Sequence, residues 1–454
     1  MLSPDKTGML QAFLGSLPGH VASRLARAVE VDRLMDGTAL PHDDILAGLR
    51  EALRQGAYDR TRSPLRLFCV PFEDLLVNGP GKAKLKGVIA RASVVPVWVW
   101  VSRTLIPAEA ARYAADVRSL ALAGKAEDAE MRAAAFWPLA AEALKAALAD
   151  EKAARQQLGG DMAVADAREM ALMLAAGPAI TKLQALLIPP APALRDNLLW
   201  DVRAIYDEIA QTLPDAAPYV AVVAMNRLAK PCEALRLPQM VSRHSDDTLI
   251  SQTDMGLIGE ILMARLQGLG TAIAAQRHPA FDDRALLEDV RGFAELSSAF
   301  VKEIEMRRDG EWGQRLLKER GEVGKAMDAL MERAPRECAA ALPLQKGSGP
   351  RTADFSRAVA AEKQELALRY ARLVAGSRNF AAAASFAARQ KDCAEEISAY
   401  LRRYNEDLVK ALRGPQREVA LSQLALCAEL TALLFSGEEA QLLHRRARAA
   451  QQAA

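Results

Sequence analysis

Residues able to carry chemistry are sparse in this 454-residue chain, which holds only five histidines. One of them, His244, stands close to Asp246, Asp247, Asp254 and Glu260. An imidazole with several carboxylates is the donor set a hydrolytic metal site would need, and His244, Asp246, Asp247 and Asp254 are the candidate ligands. The acids extend over more than two helical turns, however, and a single histidine on a polar loop reads more simply as a solvated helix start. Three aspartate pairs, Asp43-Asp44, Asp246-Asp247 and Asp282-Asp283, each precede an apolar periodic run. Carboxylates placed there accept bonds from free backbone amides and meet the positive end of the helix dipole, so capping is the expected role.

The spacings exclude several reaction classes. None of the three pairs has the fifth-position acid of the D-D-x-x-D motif that helical terpenoid synthases use on magnesium. His42-Asp43 superficially resembles the adjacent His-Asp of helical HD phosphohydrolases, with His20 upstream, but Pro41 puts the pair at the start of a helix and not within one. Gly79-Pro80-Gly81-Lys82 is followed by Ala83, and Leu76 occupies the position of the first glycine of a phosphate-binding loop. The chain has no G-x-S-x-G, H-E-x-x-H or G-x-G-x-x-G. No catalytic residue and no cofactor is assigned, and a helical metal-dependent hydrolase with an unmarked site stands as an alternative.

The stretch from Arg60 to Arg103 concentrates charge. Eight basic residues face only Glu73 and Asp74, a formal +6 within a chain whose total is +2. Arg60, Arg62, Arg66, Lys82, Lys84 and Lys86 are the candidate contacts to a polyanion such as nucleic acid, or to an acidic partner. The competing expectation is that the lysines are solvated and that Trp98 and Trp100, in the run Val94-Val-Pro-Val-Trp-Val-Trp-Val101, are core. Val97 to Val101 fits strand by its β-branched residues and helix by Pro96 at a first turn.

These residues must be positioned by helices. Alanine, leucine, glutamate and arginine dominate, aromatic content is 5%, and alternating runs are few. The expected fold is all-α, a bundle-like multi-helix architecture in two or three units, or a diverged helical solenoid. Pro189-Pro-Ala-Pro192 and Lys346-Gly-Ser-Gly-Pro350 mark expected boundaries. They divide the chain into 1–188, 193–345 and 351–454, with 193–454 as one domain the alternative. One long helix is expected from Glu127 to about Leu158, another from about Ala163 to Ile188 broken at Gly177-Pro178, and a further one from Thr248 to Gln267.

Five scattered cysteines without a C-x-x-C pair fit a reducing compartment. The amino terminus carries an early acid and no long apolar core, unlike a secretory signal. The uncharged runs Met170 to Thr181 and Leu183 to Leu194 span 12 residues, short of the roughly 20 of a transmembrane helix. The excess of Arg (43) over Lys (16) suggests a GC-rich bacterial genome. The expected protein is cytoplasmic and non-enzymatic, a scaffold or regulator whose partner is another protein, with nucleic-acid binding through residues 60–103 as the second alternative.

Overall fold

The computed structural model describes residues 4–35, 40–54, 62–79, 84–345 and 352–452. These form twenty-one α-helices with one pair of two-residue strands, an all-α, multi-helix architecture. The chain divides into two compact units, 1–231 and 232–454.

The first unit begins with α1 (Pro4–Gly15), α2 (Gly19–Leu34) and α3 (His42–Arg54). Leu14, Ala22, Ala26, Leu49 and Ala52 close a small core between them. Helix α4 (Pro64–Cys69) is started by Ser63, whose hydroxyl accepts the Arg66 amide, with Pro64 at the position where a missing N–H costs nothing. After strands β1 (Leu76–Val77) and β2 (Ile89–Ala90), paired in parallel, comes α5 (Val94–Trp100). The ambiguous apolar run is therefore helical. Pro96 lies in its first turn, where amides have no intrahelical acceptor, so the ring removes no bond. The chain then widens to a π turn over Val101–Leu105, closed by the Ile106 amide on the Val101 carbonyl at 3.0 Å.

Pro107 opens α6 (Pro107–Leu122), and α7 (Ala126–Ala147) returns against it. Together they wrap the aromatic core of the basic stretch. Trp98 packs on Phe68 with ring centroids 5.1 Å apart, and Tyr113 stacks on Phe136 at 4.2 Å. Trp100 is buried and Trp98 is half-buried. The expected helix to Leu158 is split, because Asp150 caps a new helix, α8 (Glu151–Leu158), by accepting the Ala153 amide. Gly159, at φ 85°, closes it.

Helices α9 (Asp161–Ala175) and α10 (Gly177–Leu186) meet at the expected break. A Cβ on Gly177 would lie 2.6 Å from the Trp137 ring, so glycine lets α10 pass that indole. Helices α11 (Asp196–Thr212) and α12 (Tyr219–Arg227) complete the unit.

The proline cluster at 189–192 lies inside this unit. Ala191 donates to the Arg227 carbonyl and accepts from the Ala229 amide, both at 2.9 Å. Arg227 in turn holds both oxygens of Asp74 at 3.0 Å. The division falls between Pro231 and Cys232. Prolines end helices, but they leave the chain free to pair its backbone and pack.

The second unit contains α13 (Arg236–Ser242), α14 (Asp247–Ser251), α15 (Gly256–Ala275), α16 (Asp283–Glu303), α17 (Glu311–Ala341), α18 (Ala361–Gly376), α19 (Ala387–Ala411), α20 (Arg417–Leu434) and α21 (Gly437–Gln452). Helix α15 is long and apolar enough to cross a membrane by length and composition. It packs against α16 and α17 and buries Ile258, Leu262, Leu266 and Ile273. The linker expected at 346–350 lies outside the described residues. The residues around it are joined by an antiparallel bridge between Leu344 and Ala353, and α17 packs on both α18 and α19. Residues 232–345 and 352–454 fall within one compact unit.

Candidate functional site

The basic stretch is largely occupied by its own protein. Arg60 and Lys82 lie outside the described residues. Arg62 pairs with Glu130 at 3.2 Å, and Arg66 sits half-buried in the last turn of α4. Lys86 is exposed, its ammonium 6.0 Å from the centroid of the Tyr219 ring. Arg91 donates to Asn78 at 3.0 Å.

Lys84 departs most from expectation. Its ammonium donates to Asp166 at 2.6 Å, to Glu169 at 3.1 Å and to the Val88 carbonyl. An ammonium has three donors, and all three are used. Asp166 and Glu169 stand one turn apart on the same face of α9, only 2% and 6% exposed. Asp166 also accepts from the Ser93 hydroxyl at 2.6 Å and the Ala90 amide at 3.2 Å, while Glu169 accepts from the Gly87 amide at 3.1 Å. Burial holds the Glu169 carboxyl above the usual range, against the opposing pull of Lys84 and the Gly87 amide. Tyr219 is raised as well, through burial and the neighbouring Glu169 carboxylate.

This arrangement anchors the loop entering β2 and α5 onto α9. Its donors and carboxylates are engaged with one another, so proton transfer to a substrate would first require breaking the cluster. Lys84 is thereby removed from the candidate polyanion contacts. The reading of it as a solvated helix-start lysine is corrected too. Spacing did not reveal the pairing, because Lys84 and its acids are more than eighty residues apart.

The candidate metal ligands are not assembled into a site. Asp246 caps α14 through the Thr248 and Leu249 amides, as expected. Asp247 is buried and accepts the Arg307 amide at 3.2 Å and the Gly313 amide at 3.1 Å, capping the first turn of α17 from a distant segment. Gly310 allows this approach, since a Cβ there would lie 2.3 Å from an Asp247 oxygen. His244 and Asp254 are exposed, and Glu260 is bound to Trp312 and Arg315. Among the described residues no group of three or more His, Cys, Asp or Glu is placed to hold a metal ion. Replacing Asp247 by alanine should cost about 1 to 3 kcal/mol by orphaning buried amides, with unfolding midpoints as the measurement. A loss of bound metal with unchanged stability would contradict the capping role.

His42 bonds Asp32 at 2.7 Å, and His20 is exposed. Burial pushes the thiols of Cys69, Cys338, Cys393 and Cys427 up to about 12, so they stay protonated and are poor nucleophiles at neutral pH.

A further surface feature of the first unit lies on the α6–α7 hairpin. A cleft of about 590 Å³ runs between the two helices, lined by Leu120, Met131 and Ala135 and edged by Asp116, Asp128 and Arg132. Leu122, Met131 and Leu139 are 50%, 65% and 52% exposed. Met131, Ala135 and Leu139 succeed one another at four-residue spacing, forming one apolar stripe along α7. Composition and charge pointed elsewhere; the signal in the sequence was an apolar repeat on the face opposite Ala133, Phe136 and Ala140. No protein family, curated protein or solved structure matches the chain.

Proposed function

We propose that this chain is a non-enzymatic helical protein that acts by holding another protein, docked on the α6–α7 face. The observation that carries the reading is the exposure of Met131, which lines the cleft, and of Leu139, which continues its stripe along α7. A groove between two antiparallel helices with an apolar floor suits the apolar face of a third, amphipathic helix. Asp116 is already paired with Arg132 at 2.7 Å. Asp128, which also edges the cleft, favours a partner with a basic flank. The buried, protonated cysteines support a reducing, cytoplasmic setting. The polyanion reading is weaker, since Lys84 is engaged internally.

The test is a comparison of the parent with Met131→Asp/Leu139→Asp, both sites being exposed enough for stability to change little. Retention of a defined protein by the parent, lost in the double variant at unchanged helicity and melting temperature, is the expected result. Equal retention by both would remove the hairpin from consideration. Salt-sensitive binding of DNA or RNA that falls on Lys86→Gln would replace this reading with the polyanion one.

A further inference from the structure

A second cavity in the first unit, about 390 Å³, opens between α7, α9 and the turn that follows α11. Its floor exists because Ala141 on α7 and Ala171 and Ala175 on α9 are small; longer aliphatic side chains at these positions would fill the space. Leu148 and Leu213 close its sides. The floor is apolar, so an apolar body that covers it is favoured. The size is at the lower end of small-molecule sites, which run from about 300 to 1,000 Å³.

The charges at the mouth narrow the ligand. Arg168 is engaged with Glu151. Glu142, Lys145 and Asp215 line the same mouth, and none is ion-paired with another described residue. A ligand bearing only a carboxylate would satisfy Lys145 but face two carboxylates. One bearing only an amine would meet the two carboxylates but face the exposed Lys145 ammonium. We propose that this cavity binds an apolar α-amino acid, its side chain on the alanine floor, its carboxylate at Lys145 and its ammonium at Glu142 and Asp215. Charge-assisted hydrogen bonds to both ends select a zwitterion over either singly charged analogue. This inference is independent of the docking role of the α6–α7 face.

Calorimetric titration of the full chain tests it with L-leucine, L-phenylalanine, 3-phenylpropanoate and 2-phenylethylamine, the last two being phenylalanine without its ammonium or its carboxylate. The expected result is saturable binding of an amino acid, at least about tenfold tighter than either truncated analogue. Ala175→Leu, which adds bulk at a half-buried position, should weaken that binding by about tenfold or more at unchanged helicity. Lys145→Gln, at an exposed position, should weaken the amino acid and the phenylpropanoate while sparing the amine. It decides the matter alone if Ala175→Leu does not fold. No saturable binding of either amino acid overturns the proposal. So does equal binding of the truncated analogues, or binding indifferent to Lys145→Gln.

Discussion

Replacing Trp312 by alanine should lower the stability of the second unit by about 3 to 5 kcal/mol, the usual cost of deleting a fully buried large aromatic. Trp312 is 1% exposed, and its indole N–H donates to Glu260 at 2.6 Å. Gly259 on α15 makes room for the ring, since a Cβ there would fall 2.2 Å from the indole rim. Gly259→Ala in the parent should therefore destabilise, by about 1 to 3 kcal/mol as overpacking does. In the Trp312→Ala background the clash is gone, and the same substitution should stabilise by up to about 1 kcal/mol through helix propensity. Denaturant unfolding of the four proteins measures the coupling. Additive effects would mean that α15 and α17 do not meet at this pair.

Lys84→Met should cost about 3 to 5 kcal/mol near neutral pH, because it leaves Asp166 and Glu169 buried without their cation. The pH dependence separates this from a simple packing loss. A carboxyl whose folded pKa lies above its unfolded value binds more protons in the folded state, so stability falls as pH rises from the ordinary carboxylate range through the raised value. Glu169 is already raised by burial, and Lys84 opposes that rise. Removing Lys84 extends the window upward, so the variant should lie close to the parent near pH 4 to 5 and fall progressively behind toward pH 7. Unfolding midpoints across that range are the measurement, and a deficit constant with pH would contradict the assignment. Lys84→Gln should show the same trend, whereas Lys86→Gln, at an exposed position, should change stability by only about 0.5 kcal/mol or less.

The helical nature of this chain was legible in its composition and apolar spacing, because those features act locally. A helix needs favourable propensity, an apolar face and a cap, and each is written within a few neighbouring residues. The capping roles of Asp246 and Asp282 could be read in the same way, as could the break at Gly177-Pro178. The fate of Lys84, Asp74 and Asp247 could not. Each meets charged or amide partners sixty or more residues away, and nothing in a local window distinguishes a lysine bound for a buried ion pair from one bound for solvent. The proline cluster at 189–192 falls inside one compact unit for a related reason. Proline reports the local loss of a helical hydrogen bond, while a unit boundary depends on where tertiary contacts thin out. Propensity, apolar spacing and capping residues thus set the helical class of the chain and many of its helix ends. Which charges are consumed internally and which apolar face of α7 stays open were settled by the packing, because those outcomes depend on what lies against each helix.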